Sequence, residues 1–167
     1  MMKELAQRTA HDDRWRRVPK LPPDVFAVLR KPNRAINPVT VVATVDADGA
    51  PRTAPFGSLR AVTPGLLRLA CNQNHDTYAN LCRDGRVSVA LLAPPDIAVS
   101  IRGRARVVQE RMDTGDHLAV VEIDIEEVKN DMMRRGTIES AVGFAPPEEL
   151  GAYYVGAIAE IEDMDSP

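Results

Sequence analysis

The sequence predicts a mainly-β protein: six or seven antiparallel strands curled into a closed or split barrel, with a few short helices at its openings. Three observations predict it. From Val39 onward apolar and polar residues alternate with period two, the spacing of a strand with one buried face. Glycine- and proline-containing turns separate the successive runs. Two later segments, Ile97 to Val107 and Ala119 to Glu126, alternate along their whole length. So many strands leave exposed edges unless the sheet curls on itself.

Taken in order, residues 1–20 form an N-terminal arm of mixed charge, in which Trp15 is a candidate anchor, and residues 21–163 form the domain. After the turn-like Pro19 to Pro23, Asp24 to Leu29 reads as a short helix, with Pro23 in its first turn and Val25, Phe26, Val28 and Leu29 as its apolar stripe. Val39, Val41, Ala43 and Val45 share one strand face, and Asp46-Ala47-Asp48-Gly49 is a hairpin turn. The returning strand, about Ala50 to Leu59, carries Pro55 and Gly57, so it lies at an edge, a bulge or a close ligand approach. Thr63-Pro64-Gly65 turns into Leu66, Leu67 and Leu69. A polar loop then leads to a helix whose apolar side is read as Tyr78, Leu81 and Cys82. In Ile97 to Val107 the arginines Arg102, Arg104 and Arg106 share one face, and Glu122, Asp124 and Glu126 share the outer face of the next strand. If these strands are antiparallel neighbours, an arginine row meets an acidic row, which explains the arginines without a polyanion ligand. Beyond Lys129 the pattern suggests short helices at Asp131 to Arg135 and Pro146 to Leu150, and a last strand at Tyr153 to Glu162.

Composition limits the function. A net charge of −3 and 4% aromatic residues give no basis for nucleic-acid binding, and no apolar run is long enough for a membrane span. The charged start, MMKELAQRTAHDDRWRR, has no signal-peptide core, so a cytoplasmic location is expected. Cys71 and Cys82 form no Cys-x-x-Cys pair and read as buried or half-buried thiols. Glycine-rich nucleotide loops, the Gly-x-Ser-x-Gly elbow and Ser-x-x-Lys are all missing, and His11, His75 and His117 lack metal-ligand spacing.

One arrangement stands out. In Asn72 to Leu81, Asn74 or Asp76 can cap a helix whose first-turn N–H groups, with the Thr77 hydroxyl, suit phosphate oxygens, while Arg52 on the neighbouring strand supplies a fixed positive charge. The other reading is that Asp76 only caps the helix and Arg52 is a solvated strand residue. His75 likewise reads either as a contact to such a ligand or as a solvated loop residue.

At these residues the chain resembles the pyridoxamine 5'-phosphate oxidase-like, FMN-binding split barrels. The resemblance spans about Pro22 to Glu126 and is carried by Ala43-Thr44-Val45-Asp46-Ala47-Asp48-Gly49-Ala50-Pro51, Leu69-Ala70-Cys71-Asn72, Thr77-Tyr78-Ala79-Asn80-Leu81 and Arg86-Val87-Ser88-Val89-Ala90 in that order. It implies a homodimer with FMN in the groove between two barrels. The backbone of Arg52, Thr53, Ala54 and Pro55 is expected along the flavin ring, Cys71 and Asn72 beside the ribityl chain, and Arg52 at the phosphate. Ala70, His75, Asp76, Thr77 and Asn80 complete the expected cofactor-binding set. The implied activity is that of an oxidoreductase on a small organic substrate, the flavin carrying the chemistry. A deazaflavin-dependent reductase or a non-catalytic flavin or haem store or sensor are the alternatives on the same fold. The chain also departs from the family: the true oxidases carry Arg-Lys where this helix begins Asp76-Thr77, and their basic C-terminal segment has no counterpart, so oxidation of vitamin B6 is not expected.

Overall fold

The computed structural model describes residues 16–30, 32–36, 38–133 and 135–165. The proposed N-terminal arm up to Trp15 lies outside them. The chain forms β1 (Arg17–Val18), α1 (Pro23–Leu29), β2 (Thr40–Val45), β3 (Pro51–Phe56), β4 (Arg60–Thr63), β5 (Leu66–Asn72), α2 (Asp76–Arg83), β6 (Arg86–Ala93), β7 (Ile97–Gln109), β8 (Leu118–Asn130), one 3₁₀ turn (Glu148–Leu150) and α3 (Gly151–Asp163). All strands pair antiparallel in one sheet of order β3-β2-β6-β7-β8-β5-β4, with β1 added on β8. The expected mainly-β split-barrel class with few short helices is therefore the observed one, and the hydrogen-bonded path is open, ending at β3 and β4. Among the described residues no helix is long and apolar enough to cross a membrane.

The β2–β3 hairpin closes where Gly49 adopts φ +87°, a conformation that favours glycine, and Asp46 and Ala50 bond across the turn at 2.8 Å. Pro55 is tolerated because β3 is the last strand of the path, so its missing N–H interrupts no second ladder. The main core is built from Val42, Leu67, Leu69, Val89, Leu91, Ile101, Val121 and Ile123, with Val25 and Leu29 of α1 packed into it.

The long β7–β8 pair carries the expected charge ladder. Arg102 meets Glu127 at 3.0 Å, Arg104 meets Glu126 at 3.3 Å and Arg106 meets Glu122 at 2.7 Å. A bulge between Arg102 and Gly103 shifts the register, which is why Arg102 takes Glu127. Gly103 sits there because a Cβ at that point meets the Asp124 carbonyl oxygen at 2.3 Å.

The C-terminal third differs from expectation. Tyr153 to Glu162 is helix, not strand. Its buried residues, Ala157, Ile158, Ile161 and Glu162, recur at i, i+1, i+4 and i+5, the period of a helix with one covered face. Tyrosine, valine and isoleucine suggest β locally, but tertiary burial decides. The helix α3 covers Leu118 and Val120 on the outer face of β8 and forms a second core with Met112. The first six residues of β8 are consequently buried on both faces, and alternation returns only past Ile123. No helix forms at the described residues of Asp131 to Arg135, and Pro146 to Leu150 contributes only the 3₁₀ turn.

Two buried arginines fasten α3 and the residues just after it to the sheet, Arg68 also donating to the Ile161 carbonyl at 3.0 Å. Arg60 Nε donates to Glu162 at 3.0 Å, and Arg68 bridges Glu122 at 2.6 Å and Asp165 at 3.0 Å. Glu162 also accepts the backbone N–H groups of Asn33 and Arg34, so one carboxylate gathers three segments of chain.

Candidate functional site

The site lies where α2 begins beside the β2–β3 hairpin. The loop before α2 is shaped by Asn72, whose side-chain oxygen accepts the Asn74 N–H at 2.9 Å. The N-cap position belongs to His75, in extended conformation and without a side-chain cap. Neither Asn74 nor Asp76 caps the helix, contrary to the sequence reading. Asp76 is already the first helical residue, inside the turn whose donors a cap serves from the position before it. The N–H groups of Asp76 and Thr77 and the Thr77 hydroxyl find no acceptor among the described residues. They are the orphan donors of a helix start.

The buried residues of α2 are Thr77, Asn80 and Leu81, with Tyr78 of the expected side packed against the main core and Cys82 outside it. Cys82 is exposed and Tyr78 half-buried, because the helix is rotated to bring Asn80 onto β2. Asn80 Nδ2 donates to Thr44 Oγ1 at 3.0 Å and to Asp46 Oδ1 at 2.7 Å, and its own oxygen accepts Arg83 at 2.8 Å. Asp46 in turn takes Arg52 in a fork: Nε lies 2.8 Å from both carboxylate oxygens and Nη2 lies 2.7 Å from Oδ2. The Asp76 carboxylate stands 3.7 Å from Arg52 Nε. Hydrogen bonds from Arg52 and then Asn80 hold the Asp46 carboxyl below the usual carboxylate range, and Asp46 holds the Arg52 guanidinium above its ordinary value. Both groups are ionised at neutral pH.

These residues border a shallow hollow of ≈ 440 Å³, whose charged lining is Asp46, Asp48, Asp76, Arg52 and Arg83. Three carboxylates against two guanidiniums leave it slightly negative. Of the sequence-predicted residues, the structure brings Arg52, Asp76 and Asn80 together here, with the buried Thr77 on the same helix turn. Thr53 and Pro55 are exposed and Ala54 half-buried along the free edge β3. Cys71 faces the core from β5, where burial pushes its thiol up to about 12, while Ala70 and Asn72 are half-buried and His75 is exposed.

Sequence reasoning missed Asp46, Asp48 and Arg83. Asp46 reads as a turn former, and only the register of the hairpin shows its second role: Thr44 pairs directly with Arg52, and Asp46 follows two residues on. Farther along, the partly exposed His117 Nε2 meets the Tyr153 hydroxyl at 2.7 Å, joining the loop before β8 to α3.

Solved structures place this architecture among known ones. A provisionally assigned pyridoxamine 5'-phosphate oxidase from Lactobacillus delbrueckii superposes with a TM-score of 0.55 at 26% identity, covering 68% of this chain and 98% of that one. A HupZ variant from Group A Streptococcus gives 0.51 at 21% identity over 65% and 97% of the two chains. An F420 reductase gives 0.52 at 12% identity over 66% and 100%. The last two likenesses establish the fold alone. No curated protein sequence matches the chain. The sequence profile described as pyridoxamine 5'-phosphate oxidase matches residues 31–130, from ahead of β2 to the end of β8 and thus more than half of the chain. On that match and this fold, the chain belongs to the pyridoxamine 5'-phosphate oxidase family.

Proposed function

We propose that this protein is a cytoplasmic flavin-binding oxidoreductase, with FMN held between two copies of the 21–163 domain and a small organic molecule as substrate. The observation that carries the reading is the set of unpartnered donors at the start of α2, with Arg52 within ion-pair distance of its first residue. Such donors suit phosphate oxygens. Family membership supplies the rest of the support. In this reading Arg52, Thr77 and the first-turn N–H groups hold the tail, the exposed backbone of Arg52 to Pro55 borders the ring, and the half-buried Asn72 borders the ribityl chain, Cys71 being turned into the core. The fit is split. The free strand edge and helix start suit the group, whereas the carboxylates around Arg52 oppose a dianion.

The flavin, when bound, accepts hydride or an electron pair from the substrate. The chain's own contribution is to orient that ring against β3, to supply donors to its edge and to exclude water. A deazaflavin in the same groove is the second reading, favoured by the shared fold with a protein named F420 reductase.

The test is an absorbance spectrum of the purified protein before and after adding FMN, with a melting curve on each sample. At one hundred times the dissociation constant, bound ligand contributes about 2.7 kcal/mol, which raises Tm by roughly 5–10 °C at this size. Sedimentation reports the dimer. No spectral change and no Tm shift with FMN refutes the FMN reading, and the same titration with a deazaflavin separates the alternative. Binding without turnover by any reductant identifies a store or sensor, and a Soret band identifies haem.

A further inference from the structure

Arg52 stands beside the first residue of α2, and it is already engaged, while Arg83, the other cation of the hollow, is turned to the Asn80 side-chain oxygen at 2.8 Å. Asp46 grips it through Nε and Nη2, and Asp76 stands behind at 3.7 Å. The grip is braced. Asp46 Oδ1 also accepts, at 2.7 Å, from Asn80, which is buried and anchored on Thr44. Moving Asp46 away therefore breaks more than one hydrogen bond. A guanidinium carries five N–H donors, so Arg52 keeps donors to offer, but its charge is matched before any ligand arrives. A terminal phosphate dianion that enters here meets a hollow of net negative charge.

We infer that Asp46 is a specificity-determining residue of this site: by neutralising Arg52 it removes the selection for a terminal phosphate dianion. The site accordingly takes flavins with an uncharged or singly charged tail about as readily as FMN, and discriminates by the ring and by the neutral donors of α2. The inference rests on the flavin reading above and deepens it.

The experiment titrates the full-length chain with FMN and, separately, with riboflavin, following the quenching of flavin fluorescence. In the unmodified protein the two dissociation constants are expected within about tenfold of each other, about 1.4 kcal/mol. The Asp46→Asn variant retains an acceptor for Asn80 and frees the charge of Arg52. It is expected to tighten FMN by about tenfold and to leave riboflavin within about twofold, tenfold being the scale of one charge-assisted contact. The double variant Asp46→Asn with Arg52→Gln is expected to lose that gain, which separates an effect through Arg52 from a general change of field. Asp76→Asn, at a largely exposed side chain, is expected to shift FMN in the same direction by less, and it serves if Asp46→Asn melts early. A preference of the unmodified protein for FMN above about a hundredfold overturns the inference. So does an Asp46→Asn variant that leaves FMN unchanged or tightens both flavins alike. If neither flavin binds the unmodified protein or any variant, it is the flavin reading itself that fails.

Discussion

Replacing Glu162 by alanine is the sharpest probe of how this chain holds its last helix on the barrel. The Glu162 side chain is fully buried and Arg60, its partner at 3.0 Å, is 1% exposed. Burial lowers the pKa of the Arg60 guanidinium, with Glu162 the main opposing influence. Arg60 Nη2 already lacks a partner among the described residues, and the other nitrogens rest on Glu162 and the carbonyls of Gly57 and Leu59. Without the carboxylate an uncompensated cation remains inside, a situation that costs about 3–5 kcal/mol. The N–H groups of Asn33 and Arg34 also lose their acceptor, but both residues are exposed and water replaces it at little cost. Against a total stability of about 5–15 kcal/mol, this loss is large. With a urea m-value of about 2 kcal/mol/M, the midpoint falls by roughly 1.5–2.5 M, read by circular dichroism. The paired substitution Arg60→Met with Glu162→Leu removes both charges and is expected to recover most of the loss, since apolar replacements of buried pairs are often neutral or stabilising. A midpoint loss in Glu162→Ala below about 0.5 M refutes the reasoning, because it means that Arg60 finds water or another anion.

Two further outcomes follow from single positions. Gly103→Ala places a methyl group 2.3 Å from the Asp124 carbonyl oxygen and 2.8 Å from Ile123 Cγ2 inside the β7–β8 bulge, where backbone must move. Overpacking of this kind costs about 1–3 kcal/mol and lowers Tm by several degrees, whereas Gly136→Ala, whose nearest neighbour is the flexible Met133 side chain at 3.4 Å, leaves Tm within about two degrees. Equal Tm values for the two variants contradict the packing described. The two thiols behave differently. Cys82 is exposed, while Cys71 is buried with its thiol pushed up to about 12. A colorimetric thiol reagent at about pH 8 is expected to modify Cys82 in the folded protein and Cys71 only after denaturation, and rapid modification of Cys71 in the native state counts against its burial.

Much of the barrel is legible in the residues. Alternation predicts β2, β7 and β8, Asp46 to Gly49 predicts the first hairpin, and Pro55 with Gly57 limits β3 to an edge, a bulge or a close ligand approach, of which the edge is observed. Each is a local signal, carried by side-chain period or turn chemistry. The rows of Arg102 to Arg106 and Glu122 to Glu126 are expected to meet if their strands are antiparallel neighbours, and β7 and β8 are. The errors fall where local and tertiary preferences disagree. Tyr153 to Glu162 reads as strand because of its tyrosines, valine and isoleucines, and becomes helix because β8 has an uncovered apolar outer face at Leu118 and Val120. The rotation of α2 is another such case, set by the reach of Asn80 to Thr44 and Asp46.

By itself, then, the chain's residue order determined a mainly-β antiparallel sheet, a short helix after a polar loop and the family that these segments resemble. Period and turn chemistry act over a few residues and survive without a partner. What only the tertiary structure decided was the electrostatic state of Arg52. Asp46 lies six residues away in sequence and its role depends on strand register, which pairs Thr44 with Arg52 and leaves Asp46 beside it. Charge pairing falls off within a few ångströms, so whether an arginine is free for a ligand or already spoken for is settled by geometry that no local pattern records.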